Sequence, residues 1–147
     1  MIPEVLIQRL DPELPLPQFA KPGDAGADLC ARIDVELAPG ARTLVPTGIA
    51  IALPAGYVAF VTPRSSFALR RGGTFLNSPG VIDAGYRGEI GCIVQNTEDA
   101  VMTIHRGDRI GQLIILQLPA VAFTEVSSLP GTQRAAGGFG STGVGAP

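Results

Sequence analysis

Two cysteines and one histidine are all that this 147-residue chain offers of the side chains from which metal centres and disulfide frameworks are built. Cys30 and Cys92 each sit in an apolar stretch, far from one another and from His105. Clustered ligands and the dense cysteine spacing of a small secreted scaffold are both missing. The two thiols are therefore expected to be buried and reduced, and His105, beside Arg106 with no second ligand near it, is expected at the surface. Charge is scarce as well. Only 16% of residues ionise, eleven Lys and Arg against thirteen Asp and Glu, for a net charge of −2. A field of that size does not gather polyanions, so no nucleic-acid partner is expected. Any phosphate must be held by a few local cations or by a metal ion. No basic segment followed by an apolar one opens the chain, and no apolar run approaches the roughly 20 residues of a membrane span. The expected placement is cytoplasmic, with no membrane contact.

Helical periodicity is nearly absent too, and what replaces it is punctuation. Nineteen glycines and thirteen prolines fall between short apolar segments, with turn signals at Pro22-Gly23, Pro39-Gly40, Pro54-Ala55-Gly56, Gly72-Gly73, Pro79-Gly80 and Pro130-Gly131. Between them run β-rich stretches at Val5–Ile7, Arg42–Leu53, Tyr57–Thr62, Glu89–Val94, Val101–Ile104 and Ile110–Leu118. Thr47–Leu53 places its larger aliphatics at every second position, the period of a strand. Short strands at this spacing predict an all-β sandwich or barrel, with one short helix over Ser65–Arg71. Residues 1–130 form the expected β domain. Residues 131–147, rich in Gly and nearly devoid of groups to bury, form an expected flexible tail, because they cannot offset the entropy of ordering themselves.

Five segments carry the chemistry. They are Asp24-Ala-Gly-Ala-Asp28, Pro63-Arg64-Ser65-Ser66, the stretch from Asn77 to Glu89 with Gly80, Val81, Ile82, Asp83 and Tyr86, then Arg106-Gly-Asp108-Arg109-Ile-Gly-Gln112, and the tail from Arg134 to Gly143 with Phe139, Gly140 and Ser141. Each has a plain structural explanation by itself: Asp24 and Asp28 as turn or strand-edge residues, Arg64 as a surface cation, Asp83 and Asp108 as turn residues.

Taken together and in this order, the five segments resemble the motifs of the trimeric dUTPase family, over roughly residues 20–143. The resemblance implies a jelly-roll-like fold and hydrolysis of dUTP to dUMP and pyrophosphate with Mg²⁺. That reaction limits uracil incorporation into DNA and supplies dUMP for dTMP synthesis. It further implies a homotrimer whose active sites are shared between subunits. The substrate carries about four negative charges, which repel a nucleophile from the α-phosphorus. The chemistry asks for cations, a base and a rigid grip on the nucleoside. By the resemblance, Asp83 is the base for the attacking water. Arg64, Ser65, Ser66 and Gln112 contact the phosphates, and Asp28 orients Mg²⁺ waters in the outer sphere of an ion that the triphosphate chelates. Asn77, Gly80, Val81 and Ile82 belong to the hairpin that reads uracil, and the Tyr86 ring lies under the deoxyribose. Arg134 caps the γ-phosphate and Phe139 stacks on the base, with Gly140 and Ser141 beside it. Asp108 and Arg109 are expected to be structural, pairing with Arg64 or closing a turn.

Ser66 and Phe67 stand where the family's second motif usually has Gly and Leu, Gly111 replaces a common Ala, and Ala135 a common Gly. Two rival readings stand beside this one. A dCTP deaminase shares the fold and favours Arg-Ser-Ser in its second motif. However, the position of its catalytic carboxylate falls at Ile93 and that of its extra Arg at Leu69. A non-catalytic nucleotide-binding regulator of the same fold has no need of Asp83.

Overall fold

The structure is a computed structural model that describes residues 3–132 and 135–137. Its elements, in chain order, are β1 Leu6–Arg9, β2 Gly26–Cys30, β3 Val35–Leu37, β4 Arg42–Ala52, β5 Tyr57–Pro63, α1 Ser65–Arg71, β6 Gly73–Phe75, β7 Gly80–Ile82, β8 Glu89–Asn96, β9 Met102–Ile104 and β10 Arg109–Gln117. Two four-stranded antiparallel sheets, ordered β1-β4-β8-β6 and β2-β10-β5-β7, are joined by the two-stranded ribbon β3-β9. Among the described residues, those after Gln117 form no strand or helix.

The sandwich follows from alternation. In β8, Ile90, Cys92, Val94 and Asn96 point inward while Glu89, Gly91, Ile93 and Gln95 stay half-exposed. Leu29, Val61, Ile110 and Leu113 from the second sheet meet Val45, Ile49, Ile51, Ile90 and Val94 from the first in one apolar core. Each such side chain contributes about 1.5–3 kcal/mol on burial. Asn96 is the polar exception. It is wholly buried, and its amide donates to the carbonyls of Leu37 (2.9 Å) and Ala100 (2.8 Å) while accepting the Glu98 N–H (2.9 Å). All of its polar atoms are therefore paired, which removes the cost of burying them.

The helix occupies the expected residues and ends where Gly72 adopts φ +58°, donating its N–H to Ala68 and Phe67 carbonyls. Cys30 and Cys92 are buried free thiols, as expected. Burial pushes the Cys92 thiol up to about 12, so it stays protonated and inert. His105 is exposed. Strands β2, β3 and β6 were not anticipated, since they are short and carry Gly, Asp or Glu where strand periodicity should show. Pairing with the long strands β10 and β8 makes β2 and β6 strands, and β3 is a strand by pairing with the equally short β9.

Candidate active site

Strands β2, β10 and β5 lie side by side, and their register sets Gln112 opposite Asp28 on one flank and Thr62 on the other. Ala27, Leu29, Val61 and Leu113 fill the core, so the row Asp28–Gln112–Thr62 faces outward. Pro63 ends β5, and Arg64 follows in extended conformation ahead of α1, at the end of that row. A cleft of about 370 Å³ opens there, lined by Asp24, Gly26, Asp28, Arg64, Ser65, Ser66 and Gln112 with neighbouring residues. A side chain at Gly26 would overlap the Gln112 amide, so glycine keeps this floor open. The Gln112 amide donates to the Pro63 carbonyl at 3.4 Å, turning its end toward α1. Asp28 is gripped from both sides. Its Oδ1 pairs with Arg64 Nε at 2.9 Å and its Oδ2 with Arg109 Nη1 at 3.1 Å.

A second cleft, of about 280 Å³, is lined by Asn77, Val81, Ile82, Asp83 and Tyr86 from the β7 hairpin and by Leu44, Glu89, Gly91 and Ile93. β7 is held on the edge of the second sheet by β5, with Val61 opposite Gly80 and Ala59 opposite Ile82. A Cβ at Gly80 would make ordinary contact with the Asn77 amide nitrogen at 3.4 Å and with Val61 at 3.5 Å, so the exposed Asn77 side chain lies near Gly80. Asp83 opens a turn closed by the Tyr86 N–H on its carbonyl at 3.0 Å. Its carboxylate is exposed and takes no hydrogen bond from another described residue. The Tyr86 hydroxyl donates to the Glu89 carbonyl at 3.0 Å, and Gly88 leaves it room. This anchors the hydroxyl end of the ring, which lines the cleft together with Asp83. Glu89, the other carboxylate here, is committed elsewhere: it accepts from Arg32 at 3.2 Å and from the Gly48 N–H at 2.8 Å.

The sequence-predicted residues thus fall into two groups. Asp28, Arg64, Ser65, Ser66 and Gln112 share the first cleft, and Asn77, Val81, Ile82, Asp83 and Tyr86 share the second, with Gly80 buried beneath it. The two clefts share no lining residue. Arg134, Phe139, Gly140 and Ser141 lie outside the described residues. Asp108 does not pair with Arg64. It binds Arg71 at 2.8 Å and closes the turn that begins at His105 by accepting that residue's N–H at 3.0 Å. Arg109 likewise bypasses Arg64 and holds Asp28. Asp24 in the first cleft and Glu89 in the second bound two of the segments picked out in the sequence, but neither was assigned a site role there. Among the described residues, no three His, Cys, Asp or Glu side chains converge to hold a metal. A carboxylate has about four lone-pair sites, so Asp28 with one arginine on each oxygen can still accept a hydrogen bond from a metal-bound water, but it is not placed as one of a chelating set.

A sandwich that presents an arginine, hydroxyls and an amide in one cleft, and an open carboxylate beside a tyrosine in another, has the parts of an enzyme acting on a phosphate ester of a planar base. The dUTPase family model matches residues 12–143. Deoxyuridine 5'-triphosphate nucleotidohydrolases of Thermobifida fusca and Streptomyces coelicolor are 59% and 56% identical to the chain, over 95% of it and 78% and 77% of their own lengths. A structure of the Staphylococcus bacteriophage 80alpha dUTPase with dUpNHpp superimposes with a TM-score of 0.89 at 25% identity, covering 96% of this chain and 99% of the phage protein. The chain belongs to the dUTPase family, and its sandwich is the family's jelly roll. Among the described residues, no helix is long and apolar enough to cross a membrane.

Proposed function

We propose that the protein hydrolyses dUTP to dUMP and pyrophosphate at a site built from both clefts, with Asp83 as the base. The observation that carries this reading is the division of labour between them. One cleft gathers the phosphate-type donors Arg64, Ser65, Ser66 and Gln112 with Asp28, and the other presents Tyr86 and an Asp83 carboxylate that takes no hydrogen bond from another described residue. Asp83 takes a proton from the attacking water, the α-phosphorus–oxygen bond to the β-phosphate breaks, and pyrophosphate departs. Arg64 and Gln112 stabilise the charge that gathers on the phosphate oxygens. Asn77 and the anchored Tyr86 ring hold the base and sugar, and the ring leaves no room for a 2′-hydroxyl.

Mg²⁺, when bound, neutralises the triphosphate that chelates it, and Asp28 fits an outer-sphere place at its waters. Support for this comes from the two arginines that hold the carboxylate in the cleft, and from a related phage phi11 dUTPase whose structure describes a structural Mg(II) ion. The separation of the clefts supports a site shared between copies of the chain in a homotrimer. Asp28 and Gln112 stand on the outer face of the second sheet, whereas Leu44, Gly91 and Ile93 stand on that of the first, and packed sheets lie about 10 Å apart. The tail from residue 131, with Arg134 and Phe139, is assigned to closing over the nucleotide, and the cytoplasm is where this nucleotide pool is met.

The deaminase alternative finds no carboxylate at the position its chemistry uses. Ile93 does line the nucleoside cleft, as an apolar residue, and Leu69 is 86% exposed on α1. Turnover with Mg²⁺ against dUTP, UTP, dCTP and dTTP tests the reading, and it predicts that only dUTP is converted efficiently. Ammonia released from dCTP would establish a deaminase, and tight dUTP binding without pyrophosphate release would establish a silent binder.

A further inference from the structure

Beyond helping to hold Asp28, Arg109 takes no part in the mechanism above, yet the fold takes trouble to place it. In β10, Gln112 faces outward, so strict alternation would turn Ile110 out and Arg109 into the core. The structure shows the reverse: Ile110 is fully buried and the Arg109 side chain is 57% exposed. The cause is a shift of register against β2 between Arg109 and Gly111, where Arg109 faces Cys30 and Gly111 faces Leu29, leaving Ile110 as the extra residue of a bulge. Bulges of this kind re-aim a side chain. Here the result is that Arg109 emerges on the same face as Asp28 and takes its Oδ2 at 3.1 Å.

The consequence falls on Arg64. Its Nε lies 2.9 Å from Oδ1, and among the described residues no hydrogen bond joins its Nη groups to Asp28. A guanidinium and a lone carboxylate favour the two-bond fork, and with Oδ2 free Arg64 would close onto Asp28 with an Nη group as well. With Oδ2 already taken, the Nη groups of Arg64 remain for another anion. We infer that Arg109 is a positioning residue, which occupies one oxygen of Asp28 and so keeps the Arg64 fork directed at the triphosphate. This rests on the reading that the first cleft takes the phosphates.

The test measures binding of dUpNHpp and of dUMP by calorimetry, with and without Mg²⁺, in wild type, Arg109→Gln, Arg109→Lys, Asp28→Asn and the double variant Asp28→Asn/Arg109→Gln. Wild type should hold dUpNHpp more tightly than dUMP. Arg109→Gln should weaken dUpNHpp by on the order of tenfold or more, as loss of a charge-assisted phosphate contact implies. Affinity for dUMP and the melting temperature should hardly change, and Arg109→Lys should recover part of the loss. With Asp28 already Asn, adding Arg109→Gln should cost nothing further, because there is no carboxylate left to capture Arg64. A full loss in that background would overturn the inference by showing that Arg109 meets the phosphate itself. Equal weakening of dUMP and dUpNHpp, or no weakening of either, would overturn it too. Wild type that fails to prefer dUpNHpp would instead sink the phosphate assignment of the cleft. If Arg109→Gln unfolds early, the Lys variant alone decides, since a purely structural loss would lower both ligands together.

Discussion

Asp83 and Asp28 are proposed for two different tasks, and their surroundings differ accordingly. Asp28 is hemmed between two guanidiniums, so its charge is already answered, which suits the orienting role proposed for it. Asp83 stands exposed on a turn with no hydrogen bond from another described residue to its carboxylate, which leaves it open to a water proton. Asp83→Asn keeps the size and the turn but cannot take that proton. The expected result is a fall in kcat of roughly 10²–10⁴ with affinity for dUpNHpp largely kept, read from steady-state hydrolysis beside a binding titration. Retention of more than half of the wild-type kcat removes Asp83 from the role. Arg64, Asp83, Tyr86 and Gln112 could be picked out from the sequence as candidates because each lies in a short segment of distinctive order, and the structure places them in the two clefts. The partner of Asp28 could not be picked out, because Arg109 lies 81 residues away in the chain and reaches it only through a bulge that no local pattern announces.

The elements explain why the departures from the family's usual residues are tolerated. Phe67 is 2% exposed and lies in the space that the missing side chain of Gly73 leaves, with its ring centroid 6.3 Å from that of Phe75. Phe75 in turn lies where a Cβ on Gly111 would come within 2.9 Å of its ring. The larger residue on α1 and the smaller one on β10 are thus balanced across β6, which requires both glycines. Ala135 takes φ +44° although it is not glycine, with its N–H donated to the Thr132 carbonyl at 3.1 Å. The long strands and the helix were readable from periodicity, whereas β2, β3 and β6 exist through their neighbours. The turn from His105 to Asp108 yields a pH prediction. Partial burial pushes the Asp108 carboxyl up, but its bonds to Arg71 and to the His105 N–H outweigh that and hold it below its ordinary value. A depressed folded value adds stability that is present above the unfolded carboxylate value of about 4 and is lost as pH falls through the folded one. Asp108→Asn should therefore melt below wild type at pH 7, with the gap shrinking as pH drops from about 4 toward 2. A gap in melting temperature that stays constant over this range would show that the charge on Asp108 contributes nothing to stability.

At the scale of the whole molecule, the two clefts of one chain share no lining residue, and the proposed trimer gives each a partner from another copy. Residues 77–89 and the tail of a single chain then never serve the same substrate, which mixing can test. An Asp83→Asn trimer has tails and no base, and a trimer of chains ending at Leu129 has bases and no tails, so each should be nearly inactive. Ending at Leu129 removes no strand of either sheet, so the shortened chain should fold and melt close to wild type. When equal amounts of the two are refolded together, each site draws its hairpin and its tail independently from the two kinds of chain. On random assembly about one site in four receives both intact parts, and hydrolysis should recover to about a quarter of wild type. Were each site built within one chain, no mixture could join an intact Asp83 to an intact tail, and the rate would stay at that of the parents. The measurement is steady-state dUTP hydrolysis at equal total subunit concentration, with mixed trimers confirmed by native mass spectrometry. Absence of recovery in confirmed mixed trimers would confine each site to a single chain, and the two clefts would then have to be joined by a movement within one sandwich.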